Sequence, residues 1–157
     1  MSEPGGLPLA LTLGEPAGIG PELTIRIWRR RRELRLPPFY LVGDPDFVRD
    51  RARQLGSEIA LSTVTPAQAA DVFPRALPVV PLQMPVTAAT GKPDESSAPA
   101  AIASIRRAVS DVLAGQAAGI VTNPVAKNVL YRSGFAEPGH TEFLAKLVEE
   151  ATGNASR

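Results

Sequence analysis

The chain has 157 residues, with 17 Lys+Arg against 16 Asp+Glu, one histidine, no cysteine, 44% hydrophobic and 21% charged residues. These near-average fractions describe a globular chain with its own core; the missing cysteines exclude disulfide scaffolds, thiolate zinc sites and redox pairs, so the cytoplasm is the default location. A net charge of +1 gives nucleic acid or an anionic membrane nothing to bind, no apolar run reaches the roughly 18 to 20 residues of a bilayer span, and residues 1–6 lack the features of an export signal.

From Leu7 to Leu13 the run LPLALTL is apolar without a helical period and ends at Gly14, which reads as a buried strand. A Gly/Pro loop follows, and Pro21, tolerated in a first helical turn, opens a helix that carries Leu23, Ile25, Ile27 and Trp28 to about Arg32. The arginines from Arg29 to Arg35 read as the solvated outer end of that helix, at the favourable end of its dipole, rather than as a nucleic-acid patch. Phe39 to Gly43 is a second apolar strand, after which Asp44 caps and Pro45 opens a helix with Phe47, Val48 and Leu55.

Ile59 to Val64 predicts a third strand and Leu77 to Leu82 a fourth, whose prolines demote it to an edge or an extended loop. The chain's 16 prolines and 13 glycines demand many turns. Because the prolines concentrate between Pro66 and Pro99, segment 66–99 is expected to be a loop-rich excursion rather than core. From Asp94 to Ala114 the stripe Ala98, Ile102, Ile105, Val109 and Val112 predicts a long helix ended by Gly115. Residues 118–122 form a short apolar strand, Asn123-Pro124 a cap and first-turn pair, and 125–132 another helix. A last helix begins near Thr141 with Phe143, Leu144, Leu147 and Val148 on one side, and 152–157 read as a helix end about to feed another strand. Strands alternating with helices predict an α/β fold, a parallel-rich sheet with helices on both faces.

Three stretches carry candidate chemistry. Gly14-Glu15-Pro16-Ala17-Gly18-Ile19-Gly20 lies between strand and helix, where glycines admit a ligand to the backbone and free helix-start amides favour an anion. Its spacing is neither the dinucleotide fingerprint nor a Walker A loop, and a tight connection without ligand explains it equally well. Thr122-Asn123-Pro124-Val125-Ala126-Lys127 lies at the carboxyl end of a strand, the edge where open α/β sheets bind ligands, and a cation there suits an anionic substrate; a solvated lysine on a capped helix is the simpler alternative. Gly139-His140-Thr141-Glu142 sets the single histidine just before a helix, where Thr141 can cap and the imidazole, hydroxyl and free amides can face an oxyanion. One histidine does not make the three or four ligands of a metal site, so none is expected among these residues.

Together, the stretch 14–22, Thr122-x-Pro124-x-x-Lys127 and Gly139-His140-Thr141-Glu142-Phe143 resemble the 4-hydroxythreonine-4-phosphate dehydrogenase family of vitamin B6 biosynthesis, in order and approximate spacing, from Leu9 to about Glu149. The resemblance implies a fold similar to isocitrate and isopropylmalate dehydrogenases, with the active site in a cleft between two α/β domains at a homodimer interface. It also implies NAD-dependent oxidation and decarboxylation of 4-phosphohydroxy-L-threonine to 3-amino-2-oxopropyl phosphate, with a divalent metal (zinc, magnesium or cobalt). Carried over by motif, His140 and Thr141 become the substrate-binding pair, and Lys127, Thr122, Gly14, Glu15, Gly18 and Gly20 become cleft residues; no catalytic residue is assigned. Since members of that family are about twice this length, residues 1–157 are expected to be the N-terminal portion of a two-domain enzyme, with the metal-binding histidines beyond Arg157. Such a chain is expected to be inactive without its second half. Two alternatives stand beside this reading: a sibling enzyme acting on a phospho-threonate or an aromatic dihydrodiol, and a noncatalytic fragment that binds a phosphorylated metabolite or a partner subunit.

Overall fold

The computed structural model describes residues 6–153; the expectations placed on residues 1–5 and on the strand-feeding end at 154–157 lie outside the described residues. The strands are β1 (Leu9–Thr12), β2 (Phe39–Gly43), β3 (Leu61–Thr63), β4 (Leu77–Pro81) and β5 (Gly119–Val121). They form one sheet in the order β3-β4-β2-β1-β5, every pair parallel. β1 and β2 show no polar alternation because both faces of the sheet are covered. On one face Leu11, Leu41 and Val79 meet Ile25 and Trp28 of α1 (Gly20–Arg29) and Val48 of α2 (Pro45–Gln54). The alternate residues Ala10, Tyr40, Val42 and Val80 meet Ala69 of the short α3 (Ala69–Val72) and Ala108 of α4 (Ala98–Leu113).

Local signals set several boundaries. Asp44 caps α2 by accepting from the Asp46 amide at 3.0 Å, and Pro45 opens it. Gly115 takes a φ of +71° just after α4, the left-handed turn that a glycine supplies at least cost. α1 ends at Arg29 rather than near Arg32, since the following residues turn through Arg35 at φ +50°. There Arg31 lies over the Trp28 ring, 3.7 Å from its centroid, and donates to the Pro74 carbonyl, so that arginine is engaged rather than simply solvated.

Two expectations are corrected. β4 is an inner strand, not an edge. Its Leu77 amide donates to Ala60 and its Val79 carbonyl accepts from Val64, both toward β3, so by alternation Pro78 turns its missing N–H toward β2. Pairing with β2 begins one residue later, at Leu41↔Val79, and Pro81 ends the strand, so neither proline removes an interior rung. The proline-rich stretch is also divided: 66–81 holds a 3-10 turn (Pro66–Gln68), α3 and β4, with Ala69, Leu77, Val79 and Val80 in the core. Besides the turn at 73–76, only 82–97 run without helix or strand.

Past β5 the chain forms α5 (Lys127–Arg132) and α6 (His140–Thr152). Val129 and Leu130 seat α5 against Ala98 and Ala101, while Phe143 and Leu147 seat α6 against Ile105 and Val109. α4 is thus the common floor under both helix starts. Among the described residues no helix is long and apolar enough to cross a membrane.

Candidate functional site

The glycine loop leaves β1 at Gly14, whose φ is +70°. A Cβ on Gly14 would stand 2.6 Å from the Pro124 carbonyl oxygen and 2.7 Å from Asn123 Cβ; one on Gly20 would stand 2.8 Å from the Leu13 oxygen and 3.1 Å from Asn123 Cβ. At Gly18 the nearest neighbour is the Glu15 carbonyl, at 3.3 Å. The space that these glycines free is therefore filled by the protein itself, and it is not an open cradle for a dinucleotide's pyrophosphate. Glu15 is buried as well: its carboxylate accepts from the Ala17 amide at 2.9 Å and the Ser97 hydroxyl at 3.0 Å, and its own amide donates to the Pro124 oxygen at 2.8 Å.

Asn123 does not cap a helix. α5 begins four residues later, at Lys127, with Ala126 at its cap position. Instead Asn123 is buried, its backbone amide donating to Thr12 Oγ1 at 3.1 Å and its Nδ2 donating to the Thr12 carbonyl at 2.9 Å and to Thr24 Oγ1 at 3.0 Å. Both side-chain protons are thereby committed to β1 and α1.

Lys127 and His140 line one small hollow together with Ile105, Val125, Leu130, Tyr131 and Phe135. Its space of about 10 Å³ admits one water. His140 is half-buried, and its Nε2 is enclosed with no hydrogen-bond partner. Burial first, and the positive charge of Lys127 second, hold its pKa below the ordinary 6.5. The ring is therefore neutral near pH 7, with one nitrogen able to donate and the other to accept. The Tyr131 hydroxyl donates to the Pro138 carbonyl at 2.8 Å, fixing the turn that leads into α6, and Glu137 in that turn pairs with Lys146.

Thr141 is not the cap of α6. Gly139 holds that position without a side-chain cap, and Thr141 is exposed inside the first turn. The amides of His140, Thr141 and Glu142 precede the first intrahelical bond, Phe143 N to Gly139 O at 3.1 Å, and so open at the helix start where an anion is favoured. Glu142 leans back over the same end, its Oε2 standing 2.9 Å from where a Gly139 Cβ would be.

The structure thus gathers Lys127, His140 and Thr141 at the starts of α5 and α6, with exposed Thr122 just past β5. Gly14, Glu15, Gly18 and Gly20 do not line the hollow; the loop abuts the same segment from behind, through Asn123 and Pro124. Asn123 is the residue that motif reading mistook, because its partners lie 99 and 111 positions away in sequence. Among the described residues no three His, Cys, Asp or Glu side chains stand together, so this donor set does not fit a metal ion.

Residues 35–155 match the family model described as pyridoxal phosphate biosynthetic protein PdxA. The chain is 57% identical to a 4-hydroxythreonine-4-phosphate dehydrogenase of Bradyrhizobium diazoefficiens, over 94% of this chain and 45% of that protein. The crystal structure of 4-hydroxythreonine-4-phosphate dehydrogenase from Klebsiella pneumoniae aligns with a TM-score of 0.77 at 32% identity, over 92% of this chain and 45% of that one. That of a terephthalate 1,2-cis-dihydrodiol dehydrogenase from Burkholderia xenovorans gives 0.69 at 26% identity, over 90% and 40%. The chain spans less than half the length of each of these proteins.

Proposed function

The chain belongs to the family of the pyridoxal phosphate biosynthetic protein PdxA, and from that premise we propose that it carries the first half of a site oxidising 4-phosphohydroxy-L-threonine with NAD. That reaction would take a hydride and the hydroxyl proton from the alcohol, with the nicotinamide supplying the hydride acceptor when bound, and loss of carbon dioxide from the resulting β-keto acid would leave 3-amino-2-oxopropyl phosphate. The observation that carries the reading is the meeting of Lys127 and a neutral His140 at the open start of α6, past the carboxyl edge of a parallel sheet.

Each group has a task that its environment supports. Lys127 and the first-turn amides of α6 attract the phosphate. His140, held neutral, hydrogen-bonds the substrate without adding charge, and the exposed Thr141 hydroxyl adds a further donor. Since the hollow has room for no more than one water, the substrate rests across its rim, at the start of α6 beside Lys127 and Thr141, rather than inside. Gly14, Glu15, Gly18 and Gly20 form the wall behind the rim. The nicotinamide and a divalent metal belong, in this reading, to the portion of the relatives that the chain does not span, and the working enzyme is a cytoplasmic homodimer with a small phosphorylated substrate.

Calorimetric titration tests the binding half of this account. 4-Phosphohydroxy-L-threonine should bind the 157-residue chain, Lys127→Met should weaken that binding, and the dephosphorylated amino acid should give no heat beyond dilution. Equal binding with and without the phosphate would overturn the reading. A sibling function on an aromatic dihydrodiol is favoured by one observation, the likeness to the terephthalate 1,2-cis-dihydrodiol dehydrogenase at a TM-score of 0.69 and 26% identity. Tighter binding of an aromatic carboxylate than of the phosphorylated alcohol would select that sibling.

A further inference from the structure

We propose that Asn123 is a positioning residue for Lys127: its side chain, seated in a socket shaped by Gly14 and Gly20, fixes the segment that presents the lysine beside His140. The inference rests on the phosphate site proposed above. Residues 122–126 have neither helix nor strand to hold them, so the path from β5 to α5 depends on other bonds. Three of these come from Asn123, to Thr12 and Thr24, and a fourth joins the next residue, where the Pro124 oxygen accepts from the Glu15 amide.

Socket and occupant are matched. The contacts of 2.7 and 3.1 Å that a Cβ at Gly14 or Gly20 would make are both with Asn123 Cβ, so a side chain at either position would displace the asparagine. Pro124 restricts the asparagine backbone to extended conformations, which keeps the chain running straight out of the sheet. Inside the socket the Nδ2 protons meet a carbonyl and a hydroxyl; buried donors without acceptors are costly, so the side chain has one low-energy seat. The glycine loop and the lysine segment, far apart in sequence, thereby become one mechanical unit. Gly14 and Gly20 serve the site through Asn123 rather than by touching a phosphate.

His140 reports where Lys127 stands. Facing it are Lys127 and Tyr131 of α5, Glu137 of the preceding turn, which is paired with Lys146, and Glu142 of its own helix. The test follows the His140 ring resonances of the 157-residue chain against pH and against inorganic phosphate, in wild type, Asn123→Ala, Thr24→Val, Lys127→Met and the Asn123→Ala/Lys127→Met pair. Lys127→Met should raise the His140 pKa and weaken phosphate about fivefold. Asn123→Ala should move both in the same direction, and in the Lys127→Met background it should add nothing. Thr24→Val removes one of the three bonds and should give a smaller shift of the same sign, which keeps the test open if Asn123→Ala does not fold. Full additivity of the two single changes, or an unmoved His140 titration in folded Asn123→Ala or Thr24→Val, would overturn the proposal. A wild-type ring that ignores phosphate would instead overturn the phosphate reading, and the pH titration would still decide the part played by Asn123.

Discussion

Replacing Gly14 by alanine should destabilise the chain by about 2 to 5 kcal/mol, summing two separable penalties. The backbone at φ +70° costs an L residue about 1 to 2 kcal/mol, and a methyl forced to within 2.6 Å of the Pro124 oxygen and 2.7 Å of Asn123 Cβ adds about 1 to 3 kcal/mol of overpacking. Against a total of about 5 to 15 kcal/mol for a domain, that is a large fraction. Two glycines serve as controls. Gly115 has a φ of +71° with nothing within 4 Å of its would-be Cβ, so Gly115→Ala should show the backbone penalty alone. Gly20 has no left-handed φ but meets the Leu13 oxygen at 2.8 Å, so Gly20→Ala should show the steric penalty alone. Urea unfolding of the three variants gives the free energies directly. If Gly14→Ala costs no more than Gly115→Ala, the socket around Asn123 does not exist as described.

Other consequences concern charge. Burial first, and the hydrogen bond to Asp111 second, hold the Tyr40 phenol far above its ordinary value of 10.0. Above about pH 10 the unfolded chain therefore sheds a proton that the fold retains, so unfolding free energy should fall as pH rises there, and Tyr40→Phe should flatten that slope in alkaline denaturation curves. His140 has the opposite sign: its folded pKa lies below 6.5, so acidification through 6.5 protonates the unfolded chain first and stability should decline. Denaturation midpoints of wild type and His140→Gln across that window should converge at low pH if this holds. Glu142 leans over the start of α6 where phosphate is proposed to rest, so Glu142→Gln should tighten inorganic phosphate by about two- to fivefold in calorimetry, and weaker binding would count against that placement.

Much of the architecture was legible because local chemistry determined it. The unalternating runs LALT and FYLVG announced strands covered on both faces, and Asp44-Pro45 announced the start of α2. The stripe Ile105, Val109 announced the helix that became the floor of the site. The position of β4 was not legible, since a proline's effect depends on which neighbour its missing N–H would have faced, and that is fixed only when the sheet assembles. Lys127 and His140 do share one hollow, as their places after a strand and before a helix suggested, whereas the sequence left the glycine loop open between a tight connection and a ligand cradle because its neighbours Asn123 and Pro124 arrive from the other end of the sequence. Thr141 looked like a cap because threonine is a common capping residue; Gly139, with its extended backbone at φ −170°, took that place instead.

The central claim is that the starts of α5 and α6, braced from behind by Asn123, receive a phosphorylated alcohol. Amide chemical-shift mapping of the chain with 4-phosphohydroxy-L-threonine tests it most directly. The account predicts the largest changes at Lys127, His140, Thr141 and Glu142, with smaller ones at Thr122 and Asn123. Changes centred instead on the apolar hollow between Leu9, Ile27, Leu36 and Val121, or none at millimolar ligand, would contradict it.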